Sequence, residues 1–81
     1  MAMKLTILSP DKTLFVGEAS LIEVPGTKGR FQMLVNHAPV VSTLQAGTIR
    51  LVTENEGEKF FEIQGGVIEN HENTTVILAE V

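Results

Sequence analysis

The chain has 81 residues, 43% of them apolar and 20% charged, with no cysteine, no tryptophan and a net charge of −4. That length holds a single domain, and the lack of cysteine excludes a disulfide framework, a thiolate nucleophile and a sulfur-bound metal. Six cations against ten acids set nucleic acid aside as a partner, because phosphate-backbone binding rests on clustered Lys and Arg.

Valine, isoleucine and threonine make up 23 of the 81 residues. These side chains suit a pleated surface, so the chain predicts strand almost throughout. Lys4-Leu5-Thr6-Ile7-Leu8-Ser9 puts Leu5 and Ile7 on one face and breaks at Pro10-Asp11. Leu14-Phe15-Val16 is a short run ended by Gly17. Ala19 to Val24 alternates, with Ile22 and Val24 together. Pro25-Gly26 reads as a turn, since Pro presets its first position and Gly accepts the positive φ of the next. Thr27-Lys28-Gly29 extends that loop, and Arg30 to Val35 is extended again. Asn36-His37-Ala38-Pro39 forms a second loop before Val40-Val41. Pro39 to Ala46 is the best helical window, but its Val, Ser and Thr and the closing Gly47 favour strand. Thr48 to Thr53 turns Ile49 and Leu51 inward and Arg50 outward. Glu54 to Glu58 is a polar hairpin tip, and Lys59 to Gln64 pairs back. Gly65-Gly66 marks a bulge or a close backbone crossing. Val67-Ile68, a polar turn over Asn70 to Asn73, and Thr75-Val76-Ile77-Leu78-Ala79 complete the pattern.

The expected fold is all-β: about ten short strands in a two-sheet sandwich or flattened barrel, one domain over residues 1–81. Leu5, Ile7, Ile22, Val24, Ile49, Leu51, Ile63, Ile77 and Ala79 are its expected core. No span approaches the ~18 apolar residues that cross a membrane, so direct membrane insertion is not expected. Met1-Ala2-Met3-Lys4 lacks the apolar segment of a secretory signal.

Chemistry is sparse. His37 and His71 lie far apart in sequence, and neither has a neighbour at metal-ligand spacing. His71 reads as a turn residue, whereas His37 sits in a loop between apolar runs. Asp11 is the sole aspartate and no serine has a Gly-x-Ser-x-Gly setting, so a hydrolytic triad is not expected. Gly26-x-x-Gly29 and Gly65-Gly66 lead into no helix and carry no Lys-Ser/Thr, so they are turns rather than phosphate cradles. Asn73-Thr74-Thr75 fits the glycosylation pattern with no secretion signal beside it. Glu54, Glu56 and Glu58 alternate along a solvated edge. No catalytic, cofactor-binding or metal site is expected. The default is a binding or scaffolding module.

Six segments in order carry a resemblance. They are Leu14-Phe15-Val16-Gly17-Glu18, Val24 through Phe31, His37-Ala38-Pro39-Val40-Val41, Ala46 through Arg50, Gly65-Gly66-Val67-Ile68-Glu69 and Val76-Ile77-Leu78-Ala79. Together they resemble the N-terminal domain of the epsilon subunit of F-type ATP synthase, called delta in mitochondria. The resemblance implies a ten-stranded sandwich in the central stalk, without chemistry or cofactor of its own. It also implies docking on the gamma subunit and the c-ring, so that ion-driven rotation is coupled to ATP synthesis. The matching positions place Leu14, Phe15, His37, Ala38, Val41, Val67 and Ile77 towards gamma. Thr27, Lys28, Gly29, Arg30 and Phe31 would then face the c-ring; for Lys28 and Arg30, pairing with its carboxylates and a solvated hairpin tip both stay open. The implied location is a peripheral complex on the cytoplasmic face of a bacterial inner membrane, or its organellar equivalent.

Three features depart from that pattern. The chain stops at Val81, without the helical hairpin that family members usually carry. Val35-Asn36 stands where Pro-Gly is common, and Asn is the non-Gly residue most tolerant of positive φ. Arg30 stands where an acidic residue is frequent. A competing expectation is a lipoyl or biotinyl carrier domain modified at Lys12, of similar size and also all-β.

Overall fold

Alternate residues of a strand point to opposite faces, and burial follows that period closely. In β1 (Met3–Leu8) the buried residues are Met3, Leu5 and Ile7. The remaining strands are β2 (Thr13–Ala19), β3 (Leu21–Gly26), β4 (Gly29–Leu34), β5 (Val40–Thr53), β6 (Gly57–His71) and β7 (Thr74–Glu80). This computed structural model describes residues 2–81, so Met1 of the expected 1–81 domain lies outside the described residues. The strands form one sheet in the order β2-β1-β7-β6-β5-β3-β4. Among the described residues only β1 and β7 pair parallel, from Lys4 opposite Thr74 to Leu8 opposite Leu78. The all-β expectation holds.

The strand count drops to seven because β5 and β6 run for 14 and 15 residues. Gly47 and Gly65-Gly66 mark strand ends in a local reading, yet the β5–β6 ladder continues past them, with Gln45 opposite Gly65 and Gly47 opposite Ile63. What changes there is the face that looks inward. Leu44 is buried on the first half of β5, Ile49 and Leu51 on the second. In β6 Ile63 is buried before the glycine pair, Ile68 and Asn70 after it. The long hairpin thereby serves two layers. Gly66 lies at this reversal with φ 156°, a conformation that L side chains rarely adopt. A Cβ there would collide with the carbonyl oxygen of Leu78 and sit 3.2 Å from the Ala79 Cα. The expected close backbone crossing is therefore real.

Curling of the sheet brings distant strands together. β2 and β6 stand three strand spacings apart in the order, ~14 Å on a flat sheet. The rings of Phe15 and Phe61 nevertheless meet edge to face with centroids 6.1 Å apart. All nine expected core residues are buried, joined by Met3, Ala19, Met33, Leu44 and Ile68. One buried polar pair sits among them: Thr75 Oγ1 donates to Asn70 Oδ1 at 2.8 Å. The Asn70 amide nitrogen finds no acceptor among the described residues.

Pro25-Gly26 is not the turn. Both residues lie inside β3, opposite Arg30 and Gly29, and the chain reverses at Thr27-Lys28. The β3–β5 register shifts between Glu23 and Gly26, so Pro25 sits at an irregularity where its missing N–H costs little. At the other tip Thr53 Oγ1 donates to the Gly57 carbonyl at 3.1 Å and accepts from the Glu56 N–H at 2.9 Å.

Candidate docking surface

The β3–β4 turn is stitched to the start of β5. Thr27 N donates to the Thr43 carbonyl at 3.1 Å, and the two threonine hydroxyls are 2.8 Å apart. Gln45 Nε2 donates to the Gly26 carbonyl at 3.2 Å. Residues far apart in sequence are thereby brought to one wall. Behind it runs a row of alternating charges across four strands. Arg30 Nε lies 3.4 Å from Glu23 Oε2, and Glu23 Oε1 lies 3.3 Å from Arg50 Nη1. Arg50 Nε then donates to Glu58 Oε2 at 2.7 Å. That hydrogen bond to Glu58 is the main cause of an Arg50 pKa raised above its ordinary value. Arg30 is thus already partnered within its own sheet, whereas Lys28 forms no ion pair among the described residues.

The second loop is equally constrained. Asn36 takes φ 69°, the left-handed conformation expected of it. His37 N donates to the Leu34 carbonyl at 3.1 Å. His37 Nδ1 lies 2.8 Å from the Ala38 carbonyl, which requires the proton on Nδ1. Asn36 and Asn73 exchange two hydrogen bonds: Asn36 N to Asn73 Oδ1 at 2.6 Å, and Asn73 Nδ2 to Asn36 Oδ1 at 2.8 Å.

Between these loops lies a groove of about 700 Å³. Thr27, Lys28, Gly29, Arg30 and Phe31 line it together with His37, Val41 and Val67. The groove thus joins the whole set expected to face the c-ring to three of the residues expected to face gamma. Its apolar part extends onto β7, because Val67 pairs with Leu78 on one side and Thr43 on the other. Val41 is 70% exposed, Leu78 55% and Val67 39%. Sequence reasoning passed over Leu78, although its signal was present: if Ile77 and Ala79 point inward, Leu78 must point out.

The other expected gamma-facing residues fall elsewhere. Ala38 is exposed beside His37. Leu14 and Phe15 are half-buried on the edge strand β2, packed against the core. Phe15 lines a different cleft, of about 360 Å³, with Val16, Gly17, Glu18 and the hairpin tip Thr53 to Glu56. Ile77 is fully buried and belongs to the core alone, so it is withdrawn from the docking set. Among the described residues no three His, Cys, Asp or Glu side chains gather as metal ligands.

A family model described as the beta-sandwich domain of the ATP synthase delta/epsilon chain matches residues 2–81. The chain belongs to this family. The ATP synthase epsilon chain of Chlorobium limicola is 38% identical over 79 residues, 98% of this chain and 90% of that one. That of Leptospira borgpetersenii is 38% identical over 78 residues, 96% of this chain but 61% of its own. Family members thus differ in how much chain lies outside the sandwich. Two solved structures share the fold. A chain in the Euglena gracilis mitochondrial ATP synthase superposes with TM-score 0.88 at 20% identity, covering 96% of this chain and 50% of that one. One in the central stalk and c-ring of the Tetrahymena thermophila mitochondrial enzyme gives 0.78 at 19% identity, covering 100% and 65%. The carrier reading, with a modified Lys12, falls with this assignment. An epsilon chain is a subunit of the synthase, not a catalyst in its own right.

Proposed function

We propose that this chain is a central-stalk subunit that docks on gamma and on the c-ring, and so couples ion-driven rotation to ATP synthesis. Its place is then peripheral, on the cytoplasmic face of a bacterial inner membrane or the organellar counterpart. One observation supports this reading above others: a single groove unites the β3–β4 turn with His37, Val41 and Val67, continuing into exposed Leu78. An isolated domain gains nothing from an apolar patch kept in water, and such patches mark partner sites. Gamma occupies the apolar wall and the c-ring meets the Thr27-Lys28 tip. The test is binding of purified gamma to the Val41→Glu chain. Val41 is mostly exposed, so the variant folds with an unchanged melting temperature and loses gamma. Undiminished gamma binding by the folded variant overturns the assignment of that wall. Disulfide trapping from Lys28→Cys to cysteines in the c-subunit loops tests the other contact.

A further inference from the structure

Two asparagines hold each other across two turns, and neither turn is bonded that way by necessity. Asn36 opens the loop carrying His37. Asn73 closes the two-residue Glu72-Asn73 turn between β6 and β7, with φ 50° and 58°. Both positions need a residue tolerant of positive φ, and glycine would meet that need with no side chain at all. Here the side chains are used. Asn73 Oδ1 accepts the Asn36 N–H, Asn73 Nδ2 donates to Asn36 Oδ1, and the Asn73 carbonyl accepts the Lys4 N–H at 2.8 Å. Asn73 thereby ties β1, the β6–β7 turn and the His37 loop at one point.

We propose that the Asn36–Asn73 pair is a latch that holds the His37-Ala38-Pro39 loop in its docking conformation, making both asparagines positioning residues for gamma association. The proposal rests on the docking reading above and adds to it a requirement for preorganisation. The loop segment Asn36 to Pro39 is exposed. Its anchors are the His37 N–H on the Leu34 carbonyl, the His37 ring on the Ala38 carbonyl, the Val35 side chain against the core and this latch. An exposed loop with few anchors samples many conformers, and affinity falls by the fraction that is competent to bind. Removing two reciprocal bonds lowers that fraction.

The variants are chosen to keep the backbone conformation. Asn73→Gly retains the positive φ and deletes both side-chain bonds. Asn36→Asp retains the acceptor for Asn73 Nδ2 and the N–H for Asn73 Oδ1, so it preserves the latch. Amide hydrogen exchange on the chain alone reads the latch, and association kinetics with purified gamma read its purpose. Asn73→Gly speeds exchange at the Asn36 amide at least tenfold and slows gamma association three- to tenfold. Asn36→Asp stays within twofold of the parent in both. Unchanged association by Asn73→Gly, beside a parent that binds gamma, overturns the latch whatever happens to the melting temperature. Unchanged exchange at the Asn36 amide overturns it as well. A parent chain that fails to bind gamma overturns the docking reading first and the latch's role with it. In that case accelerated exchange in Asn73→Gly still separates an intact clamp from a failed interface.

Discussion

At one end of β5 the surface is apolar, with Val41 exposed and Lys28 standing unpaired beside it among the described residues. At the other end, near Thr53, a smaller cleft is walled by Glu18, Glu54 and Glu56. Two more of the chain's cations, Arg50 and Lys59, are paired near that end with Glu58 and Glu56. In a chain of net charge −4, Lys28 thus stands on the apolar groove without an ion pair among the described residues, whereas Glu18, Glu54 and Glu56 gather at the opposite tip. Net charge limits the class of partner, but the local field is set by which charges are already neutralised by neighbours. The difference also matches the docking proposal, in which the apolar end is covered by a partner and the acidic tip stays solvated.

The two ends depend on the reversal of the inward face halfway along the β5–β6 hairpin, and that reversal gives the largest expected effect. Gly66→Val places a side chain against the Leu78 carbonyl in a backbone region that L residues rarely adopt. The expected loss is about 3 kcal/mol or more, a large share of the stability of so small a domain. Gly65→Ala is the control, since a Cβ there meets the Leu44 carbonyl oxygen at 3.5 Å, an ordinary distance. It costs about 1 kcal/mol or less in urea denaturation. Equal losses in the two variants break the idea that Gly66 enforces the reversal.

A second pair of neighbours sharpens the contrast between core and docking face. Ile77 is fully buried and Leu78 is 55% exposed on the same strand. Ile77→Ala costs ~2–5 kcal/mol through lost burial and the cavity left behind. Leu78→Glu stays within ~0.5 kcal/mol of the parent, as surface changes do, yet weakens gamma binding at least tenfold. Denaturation and binding measured on both variants check the facing; a destabilising Leu78→Glu places that residue in the core instead.

These cases show what was legible in the sequence. Period-two alternation identified Leu5, Ile7, Ile49, Leu51 and Ile63 as core because facing is a local property of a strand. Asn36 at positive φ was legible too, since few non-Gly residues tolerate that conformation. Strand continuity was not. Gly47 and Gly65-Gly66 look like breaks along the chain, whereas the ladder that carries β5 and β6 past them is made with partners elsewhere. Pro25-Gly26 misled for the same reason: its strand role depends on a register shift against β5. The groove escaped detection as one surface because Thr27 reaches Thr43 only after both hairpins have formed. Ile77 was placed on two surfaces because its segment is apolar at every position from Val76 to Ala79.

The smallest expected effect concerns the two cations of the β3–β4 hairpin. The sequence leaves their pairing with c-ring carboxylates open beside a solvated hairpin tip, and Arg30 already lies 3.4 Å from Glu23, a side chain 27% exposed. Removing Arg30 costs the docked state little, because the guanidinium must leave one carboxylate to reach another. Lys28 has no such tie among the described residues and stands at the tip of the turn. A rim ion pair contributes only ~0–1 kcal/mol, so Lys28→Ala weakens assembly with the c-ring by at most about fivefold. Charge reversal does more, because it sets like charges together: Lys28→Glu slows association by about tenfold at low salt. The effect vanishes near 1 M salt, where the screening length falls to about 3 Å. Arg30→Ala remains within twofold of the parent at every salt concentration. Association with c-ring-containing vesicles, measured for the three variants across that range, ranks the cations; a larger loss for Arg30→Ala than for Lys28→Ala reverses their roles and returns Arg30 to the interface.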